Sequence, residues 1–188
     1  MPDSHSITIG DRLFPISRIL LKNNKPVDLT NYTVKWTLYD DAGTLVTAAT
    51  TTGVTAQPTT VFTASATTNL LTASEHLVQE NDELTVSNSG GALPTGLAAS
   101  TRYFAKEVSQ NAFKVAATPG GSAIDITGAG TGTNSFSLVG HVTYQFATGE
   151  VATAGTYWGW FSVIDGANLV QHWPATGRGL RIDVVEAS

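Results

Sequence analysis

The chain contains no cysteine, which excludes disulfides and thiolate metal centres and leaves packing and hydrogen bonding to hold the fold. Charge is scarce too: Asp, Glu, Lys and Arg make up 13% of the 188 residues, about half the usual share. The 10 Lys and Arg are scattered and outnumbered by 15 Asp and Glu, for a net charge of −5. Because nucleic-acid affinity rests on clustered cations that neutralise phosphate, DNA and RNA are not expected as partners. No apolar run is long enough to span a bilayer, so no membrane partner is expected. Met1-Pro2-Asp3-Ser4-His5-Ser6 lacks the basic and apolar regions of a secretion signal, and the expectation is a protein made in a cytosol and not exported alone. Helical periodicity is nearly absent. Residues 72–80, with Ser74 as a cap and Glu75 in the first turn, form the one modest candidate, and they read equally well as a loop.

What is present is strand rhythm in a Thr-, Ala-, Gly- and Ser-rich background with 41% apolar residues, enough for one sizeable core or two small ones. Residues 7–21 carry two short extended pieces, broken at Gly10-Asp11 and bent at Pro15. Tyr32, Val34, Trp36 and Leu38 alternate with Thr33, Lys35 and Thr37, the period-two pattern of a half-buried strand with its even face inward. Asp40-Asp41-Ala42-Gly43 is a turn, and residues 44–49 return as a hairpin strand. Val142, Tyr144 and Phe146, then Leu180, Ile182 and Val184, repeat the alternation. Residues 156–165 are apolar on both faces, Tyr157, Phe161 and Val163 on one and Trp158, Trp160 and Ile164 on the other. Such a strand is either central or covered by a partner. Roughly seven strands are expected in the two terminal segments, the number of an immunoglobulin-like sandwich.

Between these segments lies a second set of strand signals: residues 83–88, 102–109 and 112–117, with Gln110-Asn111 as a tight turn and Ile124-Asp125-Ile126 as a short strand. Tyr103, Phe104, Val108, Phe113 and Val115 in strand-like spacing distinguish this stretch from a disordered linker. The expected organisation is all-β: an immunoglobulin-like antiparallel β-sandwich, residues 1–56 and 139–188, interrupted by a small inserted β-rich module, residues 57–138.

No chemistry stands out. His5, His76, His141 and His172 lack ligand spacing. Asp40-Asp41 and Glu80-Asn81-Asp82-Glu83 lack the pattern of a calcium loop. Gly128-Ala129-Gly130-Thr131-Gly132 leads into a strand-like stretch rather than the helix N-terminus that phosphate capture needs. No Ser sits in a Gly-x-Ser-x-Gly elbow. No catalytic residue, metal or cofactor is expected, and the chain reads as a non-enzyme. The pointed feature is Trp158, Trp160 and Trp173. Such rings serve as sandwich core, as anchors of a subunit interface, or as stacking platforms for sugars, with Gln171, His172 and Arg178 as hydrogen-bonding neighbours.

Gly10-Asp11, Pro26-Val27-Asp28-Leu29-Thr30, Leu38-Tyr39-Asp40 and Ala154-Gly155-Thr156-Tyr157, in this order, resemble the N-terminal immunoglobulin-like domain of bacteriophage baseplate upper proteins and related tail-fibre attachment modules. The inserted stretch, from Leu93-Pro94-Thr95-Gly96-Leu97 to Arg102-Tyr103-Phe104, then Asn111-Ala112-Phe113-Lys114-Val115 and Thr118-Pro119-Gly120-Gly121-Ser122-Ala123-Ile124, resembles a β-module recurrent in phage tail and virion proteins. The resemblance implies a non-enzymatic structural component of the virion, made in the host bacterial cytoplasm. It would sit in the tail or baseplate, in multiple copies or a symmetric homo-oligomer, and dock to other virion proteins through Trp158, Trp160 and Trp173. A capsid decoration or head-fibre base protein is the alternative within that class. A carbohydrate-binding adhesin module, with host glycan as partner, is the alternative outside it.

Overall fold

The computed structural model describes residues 4–9, 15–174 and 179–186; Gly10, Asp11 and Arg178 lie outside the described residues. Every described element is a strand, and most pairings are antiparallel, so the fold class is all-β. In chain order the first seven are β1 (Ser4–Thr8), β2 (Ile16–Ile19), β3 (Leu21–Lys22), β4 (Lys25–Pro26), β5 (Thr33–Asp40), β6 (Leu45–Thr50) and β7 (Val54–Ala56). Six follow: β8 (Thr59–Ala64), β9 (Leu71–Thr72), β10 (Glu83–Ser89), β11 (Arg102–Lys106), β12 (Ala112–Ala116) and β13 (Thr133–Leu138). The chain ends with β14 (His141–Tyr144), β15 (Gly155–Ile164), β16 (Val170–Trp173) and β17 (Leu180–Val185). It divides into a split unit, Met1–Ala56 with Gly140–Ser188, and an inserted unit, Gln57–Val139.

In the split unit one sheet runs β1-β17-β15-β5-β6, with β16 also on β15; the β1–β17 pair is parallel and the others antiparallel. A three-stranded sheet, β2-β14-β7, supplies the second layer. Period-two alternation sends Val34, Trp36, Leu38, Tyr157, Phe161, Val163, Ile182 and Val184 from the first sheet, and Ile16, Val142 and Tyr144 from the second, into one core. Its centre is aromatic: Trp36 stacks on Tyr144 at 4.7 Å between ring centroids and meets Phe161 at 4.8 Å. Tyr144 Oη donates to Glu150 Oε1 and Oε2 at 2.6 and 2.7 Å, and Glu150 also accepts from Thr47 Oγ1 and the Ala147 N–H. That carboxylate ties the connection after β14 to β6.

The inserted unit is a closed six-stranded barrel, β10-β11-β12-β9-β8-β13. Phe62, Phe113, Phe136, Leu84, Val115 and Ile126 fill it.

Several expectations are corrected. Tyr32 precedes β5, is 44% exposed and does not join the inward row of Val34, Trp36 and Leu38. Ile124–Ile126 is no strand: the Ile124 N–H donates to the Val115 carbonyl and the Ile126 N–H to Asn69 Oδ1, so Ile126 is buried without a ladder. β11 ends at Lys106 rather than 109, although the Ser109 N–H donates to the Ala112 carbonyl across Gln110-Asn111 and closes the turn expected there. Of the two readings of residues 72–80 the loop is the one found: β9's last residue, turns and loop, with no helix. The split unit holds eleven strands among its described residues rather than seven, the extra ones being short.

Burial holds the pKa of His141 below its ordinary value of 6.5, and its Nε2 is 2.7 Å from Ser17 Oγ. His5 is shifted the same way, by burial and then by Arg18. A histidine with a lowered folded pKa binds more protons unfolded than folded, so its contribution is complete above about pH 6.5 and is lost as pH falls toward the folded value. The split unit should therefore lose stability on acidification from pH 7 to 5, and His141→Gln should flatten part of that slope. Because all four tryptophans lie in the split unit, the urea midpoint of tryptophan emission measures it. A slope unchanged by the substitution would refute the assignment.

Candidate functional site

β15 lies at the middle of the six-stranded sheet, between β5 on one side and β17 and β16 on the other. Its odd residues face the core, and its even residues face away. On that outer face Trp158 is opposite Tyr39 and Arg181, Ser162 is opposite Lys35 and His172, and Ile164 is opposite Thr33 and Val170. The two ends of the face differ.

The aromatic end is concave. A cleft of about 300 Å³ is lined by Tyr39, Asp40, Asp41, Ala42, Gly43, Trp158 and Trp160. The β5–β6 turn builds one wall: the Asp40 N–H donates to the Thr44 carbonyl, the Thr44 N–H to Asp40 Oδ1, and Gly43 takes a φ of 85° that its lack of Cβ permits. Thus held, Asp41 accepts the Trp158 Nε1–H at 2.9 Å through Oδ1. Trp160 meets Tyr39 edge-to-face at 5.4 Å. Its indole lies so close to Gly179 that a Cβ there would fall 2.6 Å from Cε2. Both indoles are half-buried and fixed.

The other end is aliphatic: Ile164 is half-buried, while Val170 and Leu169 are 51% and 69% exposed. The turn before β16 is rigid, because Asp165 Oδ1 accepts both the Ala167 and the Leu169 N–H at 2.9 Å.

Trp173 does not join this face. It pairs with Phe161 on the inner side, is 9% exposed, and donates its indole N–H to the Leu21 carbonyl at 2.9 Å, so it belongs to the core. Gln171 pairs with Val163, also on the inner side, and His172 holds Ser162 Oγ at 2.9 Å through Nδ1. Sequence reading missed the two Ser–His contacts, Ser17–His141 and Ser162–His172, which come from strand pairing. Among the described residues no carboxylate completes either pair, and no group of three His, Asp or Glu is placed to hold a metal. The Asp41–Trp158 contact was equally hidden, since its partners are 117 positions apart. Comparisons with protein-family models, with curated proteins and with solved structures find no match.

Proposed function

We propose that this chain is a non-enzymatic structural component of a bacteriophage particle, in the tail or baseplate, and that the split unit is an immunoglobulin-like sandwich docking to other virion proteins. The observation that carries the reading is the outer face of the six-stranded sheet. Its inner face already supplies a complete core, yet the outer one still presents Ile164 and Val170, with Leu169 exposed on the turn that leads into β16. Exposed apolar side chains on a rigid turn are what a protein interface uses, and symmetry multiplies a modest contact into firm attachment. Two supports come from the sequence: the order of the baseplate-like segments, and the low charge of the whole chain.

The test is antibody labelling of intact particles that encode the protein, together with Leu169→Glu/Val170→Glu. Label at the tail end is expected, and the variant should fold yet be incorporated at least roughly tenfold less. Label on the capsid would move the protein to the decoration class. Particles without the protein would overturn the proposal.

A further inference from the structure

The cleft at the aromatic end has a chemistry of its own. Three aromatic residues, Tyr39, Trp158 and Trp160, and the acidic turn Asp40-Asp41, whose Asp41 carboxylate meets Trp158, line one concavity. Each possible class of ligand can be weighed against that lining. Anions such as nucleotides or acidic sugars meet the Asp41 carboxylate and no lining cation. A purely apolar ligand would strip water from the Asp41 carboxylate without returning a hydrogen bond. A cation would suit rings and carboxylate, but Arg181 stands directly across from Trp158 on the same face, half-exposed and paired to Asp183.

A neutral polyol fits every member of the set. The C–H faces of a pyranose ring carry partial positive charge and pack on electron-rich aromatic faces, as amphipathic rings do elsewhere. Its hydroxyls donate to a carboxylate, which only accepts, and carry no charge of their own to be repelled or left unpaired. The rings need no reorganisation, because Asp41 holds Trp158 and Gly179 backs Trp160. A volume of about 300 Å³ lies at the small end of ligand pockets, room for one or two sugar rings.

We propose that this cleft binds a neutral saccharide, with Tyr39, Trp158 and Trp160 against its ring faces and Asp41 at its hydroxyls. The site is separate from the aliphatic docking end, and it stands or falls independently of the virion reading.

The experiment is a titration of the full chain with lactose, cellobiose, maltose and chitobiose, followed by the indole N–H resonances in ¹⁵N-correlated NMR. At least one disaccharide should shift the Trp158 and Trp160 signals, saturating in the millimolar range, while Trp36 and Trp173 stay still. Trp160→Ala should weaken that response by roughly tenfold. Should that variant unfold, Ala42→Arg, on the exposed turn, should block the cleft while leaving the core untouched. Response to the free disaccharides supports a soluble ligand, and response only to the same sugars displayed on an array supports a surface glycan. Silence in both formats overturns the site. So does an equal response in Ala42→Arg, or a response to methylguanidinium or glucose 6-phosphate that matches the neutral sugars.

Discussion

Trp36→Ala should cost the split unit about 4 kcal/mol, the largest loss expected of any single truncation in the chain. Trp36 is wholly buried and touches both layers, stacking on Tyr144 of the smaller sheet and meeting Phe161 of the larger. Deleting it removes the contact between layers as well as its own transfer free energy, and the rings left behind are fixed by their own strands. The indole Nε1 is buried without a hydrogen-bond partner among the described residues, so Trp36→Phe gives up volume but no hydrogen bond and should cost markedly less. Urea unfolding followed by the emission of the remaining tryptophans measures both. Equal losses for the two variants would show that volume is not what Trp36 contributes.

Gly159→Ala should destabilise by about 3 kcal/mol, although alanine is the smallest addition available. A Cβ at position 159 would fall 2.1 Å from Cη2 and 2.2 Å from Cζ2 of Trp36, distances that no relaxed structure shows. Trp36 cannot yield, since Tyr144 and Phe161 hold it, and β15 cannot yield, since it is paired on both sides. The two sites are therefore coupled. Phenylalanine at position 36 lacks the outer indole atoms that the new methyl would strike, so Gly159→Ala should cost at least about 1 kcal/mol less in the Trp36→Phe background. Strict additivity in the double-mutant cycle would rule the clash out.

This coupling also shows what the sequence could and could not convey. The alternation through Val34, Trp36 and Leu38 is legible because a strand's two faces repeat every second residue, and the same rule marked β15 as apolar on both sides, hence either central or covered by a partner. It cannot reveal that Gly159 is there to make room for an indole 123 positions earlier, since the glycine merely interrupts the pattern. Barrel closure was hidden for a similar reason: β9 is two residues long, too short for periodicity to register. Ile124 and Ile126 imitated a strand because burial alone sets their alternation, whereas the Asn69 side chain takes the hydrogen bond that a ladder would have supplied. Tyr32 imitated one more inward residue because the pattern does not say where a strand begins. Of the three tryptophans, the two at even positions of β15 were assigned to the right side of their strand, but their cleft depends on a turn far away in sequence. Trp173 belongs to a strand whose register on β15 decides its face, and the sequence does not encode that register openly.

The strands that bracket the inserted unit pair with each other. In the split unit β7 lies antiparallel to β14, Ala56 opposite Val142; in the barrel β8 lies antiparallel to β13, Thr59 opposite Ser137. The insertion thus leaves and returns through neighbouring strands, as the two sides of a hairpin do. Closing a flexible loop over residues 57–139 would cost about 4 kcal/mol in chain entropy. A barrel whose own first and last strands are zipped together has already met that cost before β7 and β14 come into register. Folding of the insert thereby rejoins the halves of its host, and a domain placed in the middle of a gene acts on the flanking chain much as a short turn would.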